Sequence, residues 1–194
     1  MLVLGLLGSP RRAGNTETLL DAALDGACRG GARIEKVVLN EIEIKACQGC
    51  NRCLSSGECV VKDGMTSLYE LIDQADAIII ASPIYFSGLT AQTKLMIDRC
   101  QCLWARGEKL GRKVGGGRKR TGLFLSVGGD PQAMFRNAVS EVKAFYSSIE
   151  VDYCGELLLA GIESKGEITS RPELLERAIA LGDDLARGGC SGLS

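Results

Sequence analysis

The sequence predicts an α/β protein, a parallel sheet doubly wound with helices on both faces. Three observations carry this expectation. Short runs that are apolar throughout, such as LVLGLLG and DAIIIASP, alternate with longer amphipathic stretches; strands apolar on both sides belong to a sheet covered on both sides. The 194 residues suit one domain of this kind, long enough to bury a core. Apolar content of 45% with 24% charged residues is that of a globular chain.

Taken in order, Leu2–Gly8 is the first strand, followed by a turn and the amphipathic helix NTETLLDAALDGACRGG. Ile34–Asn40 is the second strand. A helix near Met65–Gln74 leads into DAIIIASP, a strand stopped by Pro83. TAQTKLMIDRCQCLWA reads as one helix, TGLFLSVGG as the fourth strand and PQAMFRNAVSEVKAFYSSI as another helix. VDYCGELLLA is the fifth strand and RPELLERAIALGDDLA the closing helix. Five strands joined by helices suit the flavodoxin-like order 2-1-3-4-5, whose ligands bind at the carboxyl ends of strands one, three and four. The expected organisation is a single flavodoxin-like domain over 1–194 with a cysteine-rich insertion at 45–65. Arg106–Arg120 (RGEKLGRKVGGGRKR) holds seven basic residues, one acid and five glycines. It reads as a mobile, solvated loop, or alternatively as a lid docking a partner or a cofactor phosphate.

A formal charge of −1 argues against nucleic-acid or membrane-surface partners. No apolar run approaches the roughly 18 residues of a membrane span. The first residues are apolar for only about seven positions and lack a basic leader, so they read as a strand rather than a secretory signal. The expected location is the cytoplasm, where thiols stay reduced. The chain has no histidine. That removes Ser-His-Asp and Cys-His hydrolases and histidine-ligated metal centres.

Gly8-Ser-Pro-Arg-Arg-Ala-Gly-Asn-Thr16 joins a buried strand to a helix, where a doubly wound sheet binds phosphate. Gly5-Leu-Leu-Gly8 lacks the dinucleotide pattern G-x-G-x-x-G, and Gly14-Asn15-Thr16 lacks the lysine of a nucleoside-triphosphate loop. No cysteine nucleophile is present for a phosphatase. Ser9, Arg11, Asn15 and Thr16 instead offer hydroxyls, an amide and a cation to a terminal phosphomonoester such as that of FMN. The plainer reading is that Ser and Asn cap the helix, with both arginines in solvent. After the third strand, Ser82–Gly88 brings Tyr85 and Phe86, aromatic surface for a flat ring. After the fourth, Ser126-Val-Gly-Gly-Asp130 allows close backbone approach.

Cys47, Cys50, Cys53 and Cys59 crowd into thirteen residues. The first three repeat the spacing by which bacterial ferredoxins present thiolates to a 4Fe–4S cubane, and Cys59 follows after five residues. A cluster is the leading reading. Metal-free thiols, a zinc site and a redox disulfide stay open, although four-cysteine zinc sites usually join two separated knuckles. Cys28, Cys100, Cys102, Cys154 and Cys190 read as ordinary thiols.

GSPRRAGNT, the cysteine segment running into CVVKDGM, and ADAIIIASPIYFSGLTAQTKLMIDR together resemble the NADPH-dependent FMN reductase-like family and, within it, the iron–sulfur flavoproteins. The resemblance covers roughly residues 1–100 and extends more loosely through SVGG. It implies a flavodoxin-like fold, noncovalent FMN and homo-oligomers. By that resemblance Ser9, Arg11, Asn15 and Thr16 hold the phosphate. Pro83, Ile84, Tyr85, Phe86 and Gly88 border the isoalloxazine ring, and Gly128 and Gly129 lie near its pyrimidine end. Asp63-Gly64 stands where many relatives carry two acids. FMN exchanges electrons singly or in pairs and a cluster singly, so no catalytic side chain is required. The expected activity is electron transfer between a carrier, ferredoxin or a transiently bound NAD(P)H, and a small acceptor. A cluster-free NAD(P)H:FMN or quinone reductase is the alternative, and a metal-stabilised binding module a third. Leu54, Val60, Val61 and Trp104 offer apolar surface for a homodimer or homotetramer in which the cysteine loop leans on a neighbour.

Overall fold

The computed structural model describes residues 1–129 and 131–189. Among them, strands β1 (Leu2–Leu7), β2 (Arg33–Val38), β3 (Ala77–Ala81), β4 (Thr121–Gly128) and β5 (Asp152–Ala160) form one parallel sheet in the order β2-β1-β3-β4-β5. This is the expected flavodoxin-like α/β arrangement. The helices are α1 (Asn15–Arg29), α2 (Cys53–Ser56), α3 (Met65–Gln74), α4 (Ala91–Arg99), α5 (Gln101–Glu108), α6 (Arg136–Ser148) and α7 (Pro172–Ala186).

Side chains alternate along the central strands and build two cores. Leu4, Leu6, Ile78, Ile80 and Phe124 pack with Leu68, Ile72, Met96, Leu103 and Val142 of α3 to α6. Val3, Leu7, Ile79, Leu123 and Leu125 pack with Leu19, Leu20, Ala23, Ala178 and Leu181 of α1 and α7. Each of the larger of these side chains, taken from water to full burial, contributes about 1.5–3 kcal/mol. Helices α1 and α7 touch backbone to backbone. A Cβ on Gly26 would lie 1.9 Å from the Ile179 carbonyl oxygen, and one on Gly182 1.8 Å from that of Ala23. No helix among the described residues is long and apolar enough to cross a membrane.

Two local expectations are corrected. The helix read as continuous over residues 90–105 breaks at Cys100 (φ −74°, ψ 4°) into α4 and α5. There the Leu103 amide bonds to the Cys100 carbonyl instead of the Arg99 carbonyl. The Arg99 carbonyl accepts from the Tyr69 hydroxyl at 2.9 Å. A tertiary hydrogen bond thus replaces a rung of the helix.

The segment Arg106–Arg120 is anchored, not a freely solvated loop. Arg120 is 1% exposed and donates to the carbonyls of Ala75, Ile149 and Ile72, so it caps the end of α3 and ties it to the end of α6. Arg118 donates to the carbonyls of Asp73 and Gln74 at 3.0 and 3.1 Å, and the Gly115 amide to the Asp73 carboxylate at 2.8 Å. Because Arg120 immediately precedes β4, this cap lies at the amino edge of the parallel sheet, opposite the ligand edge. It is not a lid over a phosphate there.

Candidate functional site

At the carboxyl ends of β1, β3 and β4 the structure opens a cavity of about 190 Å³. Of the residues expected there, Ser9, Arg11, Asn15, Thr16, Pro83, Ile84, Tyr85, Gly128 and Gly129 line it. Phe86 and Gly88 do not. Phe86 is fully exposed, because the chain turns back between Tyr85 and Gly88, which exchange two backbone hydrogen bonds of 3.0 Å. Cavities that enclose a whole small ligand run to about 300–1,000 Å³, so a larger ligand here would extend past the rim.

The geometry of the loop after β1 follows from a carboxylate the sequence reading passed over. Glu17 reaches back to accept the Ala13 amide at 2.6 Å and holds Ala13 at φ +51°. Its other oxygen takes Lys36 at 2.8 Å and Arg12 at 2.9 Å. Arg12 is thereby committed, pairing also with Glu41 at 2.7 Å. Arg11 makes no ion pair among the described residues and stays exposed at the cavity. The Ser9 hydroxyl accepts from the Arg11 amide at 3.2 Å. The cap position of α1 is Gly14, with no side-chain cap, so the plainer reading of Ser9 and Asn15 as helix caps does not hold. The first amides of α1 are left to an anion, which a helix amino end attracts.

Asn15 lines the cavity, but its carboxamide is engaged elsewhere. It donates to the Ser164 carbonyl at 2.8 Å and accepts from the Ile168 amide at 3.2 Å. These bonds draw the segment after β5 over the site and add Ile162, Glu163 and Lys165 to the lining. Hydroxyls cross-fasten the other loops. Thr90 donates to the Gly8 carbonyl at 2.7 Å, Ser126 to the Ser82 carbonyl at 2.7 Å, and the Ile84 amide to the Val127 carbonyl at 3.2 Å.

The second feature is the cysteine segment. Cys47, Cys50, Cys53 and Cys59 are free thiols, and all four line one cavity of about 40 Å³. Burial pushes the Cys53 thiol up, and the nearby Cys59, Cys47 and Cys50 push it further against a backbone hydrogen bond. Cys102, expected to be an ordinary thiol, is 1% exposed and lines the same cavity. Cys28 and Cys100 are free thiols, as expected. Cys154 is disulfide-bonded, contrary to expectation, and Cys190 lies outside the described residues. Among the described residues no three His, Cys, Asp or Glu side chains are grouped to hold a single metal ion. A zinc site would need its sulfurs about 2.3 Å from one centre.

Arg99 staples this segment shut. Its Nη1 donates to the Lys45 carbonyl at 2.8 Å and to Asp63 at 2.5 Å; Nη2 donates to the Val61 carbonyl and to Asp63, each at 3.1 Å. Asp63 also accepts the amides of Lys45 and Met65. Burial works against the Asp63 carboxylate, but the Arg99 bond and these amides outweigh it and hold its pKa below the ordinary value. Asp63, which the sequence left without a role, is the pivot that brings the two ends of the cysteine segment together.

A family model described as NADPH-dependent FMN reductase matches residues 1–153. An iron–sulfur flavoprotein of Archaeoglobus fulgidus is 46% identical over 99 residues, 51% of this chain and 45% of that protein. This chain therefore matches less than half the length of that relative. A second iron–sulfur flavoprotein of the same organism is 34% identical over 145 residues, covering 75% of this chain and 71% of the relative. Among solved structures, an NAD(P)H:quinone oxidoreductase from Methanothermobacter marburgensis superposes with a TM-score of 0.74 at 21% identity, over 95% of this chain and 96% of that one, a likeness of fold. With the sheet order, the anion-receptive end of α1 and the four-thiol cavity, these matches establish that the chain belongs to the NADPH-dependent FMN reductase family, among its iron–sulfur flavoproteins.

Proposed function

We propose that this protein is an FMN-dependent oxidoreductase carrying a 4Fe–4S cluster and passing electrons between a carrier, ferredoxin or NAD(P)H, and a small acceptor. The observation that carries the reading is the uncapped amino end of α1 facing unpaired Arg11 in the cavity at the sheet's carboxyl edge. In this reading Ser9, Arg11, Thr16 and the first amides of α1 bind the FMN phosphate. Pro83, Ile84 and Tyr85 orient the ring from one side, with Gly128 and Gly129 at its far end. Cys47, Cys50, Cys53 and Cys59 hold the cluster, and the Arg99 staple keeps them together. Bound FMN supplies one- and two-electron chemistry and the cluster one-electron chemistry. The polypeptide binds, orients and excludes water, and needs no acid–base side chain of its own.

A second reading, a cluster-free NAD(P)H:FMN or quinone reductase, is favoured by the lack of a tight three-residue metal group among the described residues. Absorbance of anaerobically purified protein separates the readings. Flavin bands with a broad visible shoulder support the first, flavin bands alone the second, and neither a metal-stabilised binding module. A steady-state comparison of NADH, NADPH and reduced ferredoxin then identifies the donor. We further propose a homodimer or homotetramer, supported by the exposed Phe86, Tyr85 and Val60.

A further inference from the structure

Arginine carries five N–H donors, four on the Nη atoms and one on Nε. In Arg99, which is 1% exposed, four bonds to Lys45, Val61 and Asp63 account for the Nη donors. Nε is buried and has no partner among the described residues. Asp63 does not serve it, since its oxygens already receive the Nη donors and two amides. An unsatisfied N–H on a buried cation is costly, so a native structure gives it an acceptor.

The place of that acceptor is narrow. Arg99 lines the 40 Å³ cavity of the four thiols, and beyond the cysteine segment only Gln101 and Cys102 join it.

We propose that Arg99 Nε–H donates to a sulfur in this cavity, so that the residue stapling the segment also sets the potential of the cluster it encloses. This rests on the cluster reading above. A hydrogen bond to a ligating sulfur favours the more negative, reduced state and raises the potential.

The test uses full-length protein reconstituted anaerobically with iron and sulfide. Wild type is expected to hold iron and sulfide in equal amounts. Arg99→Lys keeps a cation but removes the Nε donor; its reduction equilibrium should fall about tenfold, about 59 mV for one electron. Asp63→Asn, which weakens the staple without touching Nε, should hasten iron loss to a chelator and leave the potential unchanged or higher. In wild type labelled with 15N-arginine, the reduced cluster should show a hyperfine coupling to an arginine nitrogen. That measurement decides the matter if Arg99→Lys fails to retain iron. Wild type without iron would overturn the cluster reading and this inference with it. A loaded wild type lacking the 15N coupling, or an Arg99→Lys protein with unmoved potential, would overturn the role of Arg99 alone.

Discussion

Glu17 accepts the Ala13 amide at 2.6 Å and thereby bends the loop before α1 into the left-handed conformation of Ala13 (φ +51°). The bond resembles the reach of a capping box, but the acid three residues past the cap position Gly14 takes the amide one residue further back, that of Ala13. Removing it with Glu17→Ala should loosen the phosphate loop and weaken FMN binding by about 1.5–3 kcal/mol, the range for a hydrogen bond to a charged group. Flavin fluorescence titration measures this, and unchanged affinity would show that loop shape does not govern binding.

The same carboxylate predicts an acid limit. Burial raises the Glu17 pKa, but the Lys36 bond, the Ala13 amide and the charges of Lys36 and Arg12 bring it below 4.5. A depressed carboxyl supplies stability that is complete above its ordinary value and is lost as the pH falls through the lower folded value. FMN should therefore stay bound as the pH falls to about 4.5 and be released more steeply below it in wild type than in Glu17→Gln. Parallel release curves for the two proteins would refute the assignment.

In the proposed function, Arg11 and Thr16, which line the cavity, make the phosphate contact itself. Each replacement by alanine should cost about 1.5–3 kcal/mol of FMN affinity while leaving the melting temperature nearly unchanged. Arg12→Ala acts differently, since Arg12 serves Glu17 and Glu41, and should affect the flavin less. A double Arg11→Ala, Thr16→Ala protein with undiminished affinity would place the cofactor elsewhere.

Much of this was legible in the sequence because it depends on neighbours along the chain. Apolar runs gave the sheet, and the loops after β1, β3 and β4 fall at strand ends whatever the packing. What stayed hidden depends on residues far apart. Arg99 and Asp63 stand 36 residues apart, and in the sequence Arg99 is only a basic residue within a stretch that reads as one helix. Cys102 joins the thiol cavity because the helix breaks at Cys100, and nothing local announces that break. Lys165 reaches the ligand edge through the bonds of Asn15. Phe86 was misplaced because two consecutive non-glycine residues with positive φ are improbable from sequence, yet Phe86 (φ +50°) and Ser87 (φ +60°) adopt them.

Arg120 shows the same limit and yields a stability prediction. It lies in a basic run that suggests solvent, yet it is buried and serves three carbonyls. Arg120→Ala should destabilise the protein by about 3 kcal/mol or more, since buried acceptors lose their donors. Urea unfolding measures this. Flavin affinity of the folded fraction should stay unchanged, because the cap and the cavity lie at opposite edges of the sheet. A loss of less than about 1 kcal/mol would mean that water replaces the guanidinium, as it does for exposed hydrogen bonds.

The turn from Tyr85 to Gly88 predicts assembly. Both central residues have positive φ, which a two-residue hairpin turn takes most readily with Asn-Gly. Phe86 and Ser87 there cost of order 1–3 kcal/mol each in backbone strain, and Phe86 leaves its whole ring in water. A second copy packed over the ring would offset both costs, and Tyr85, which lines the cavity at the sheet's carboxyl edge, would then stand beside a subunit boundary. Wild type should therefore sediment as a dimer or tetramer at micromolar concentration. The double replacement Phe86→Asn, Ser87→Gly should shift it toward monomer while making the turn itself easier to form. Wild type sedimenting as a stable monomer with flavin bound would leave the exposed ring without a partner of its own kind and defeat the prediction.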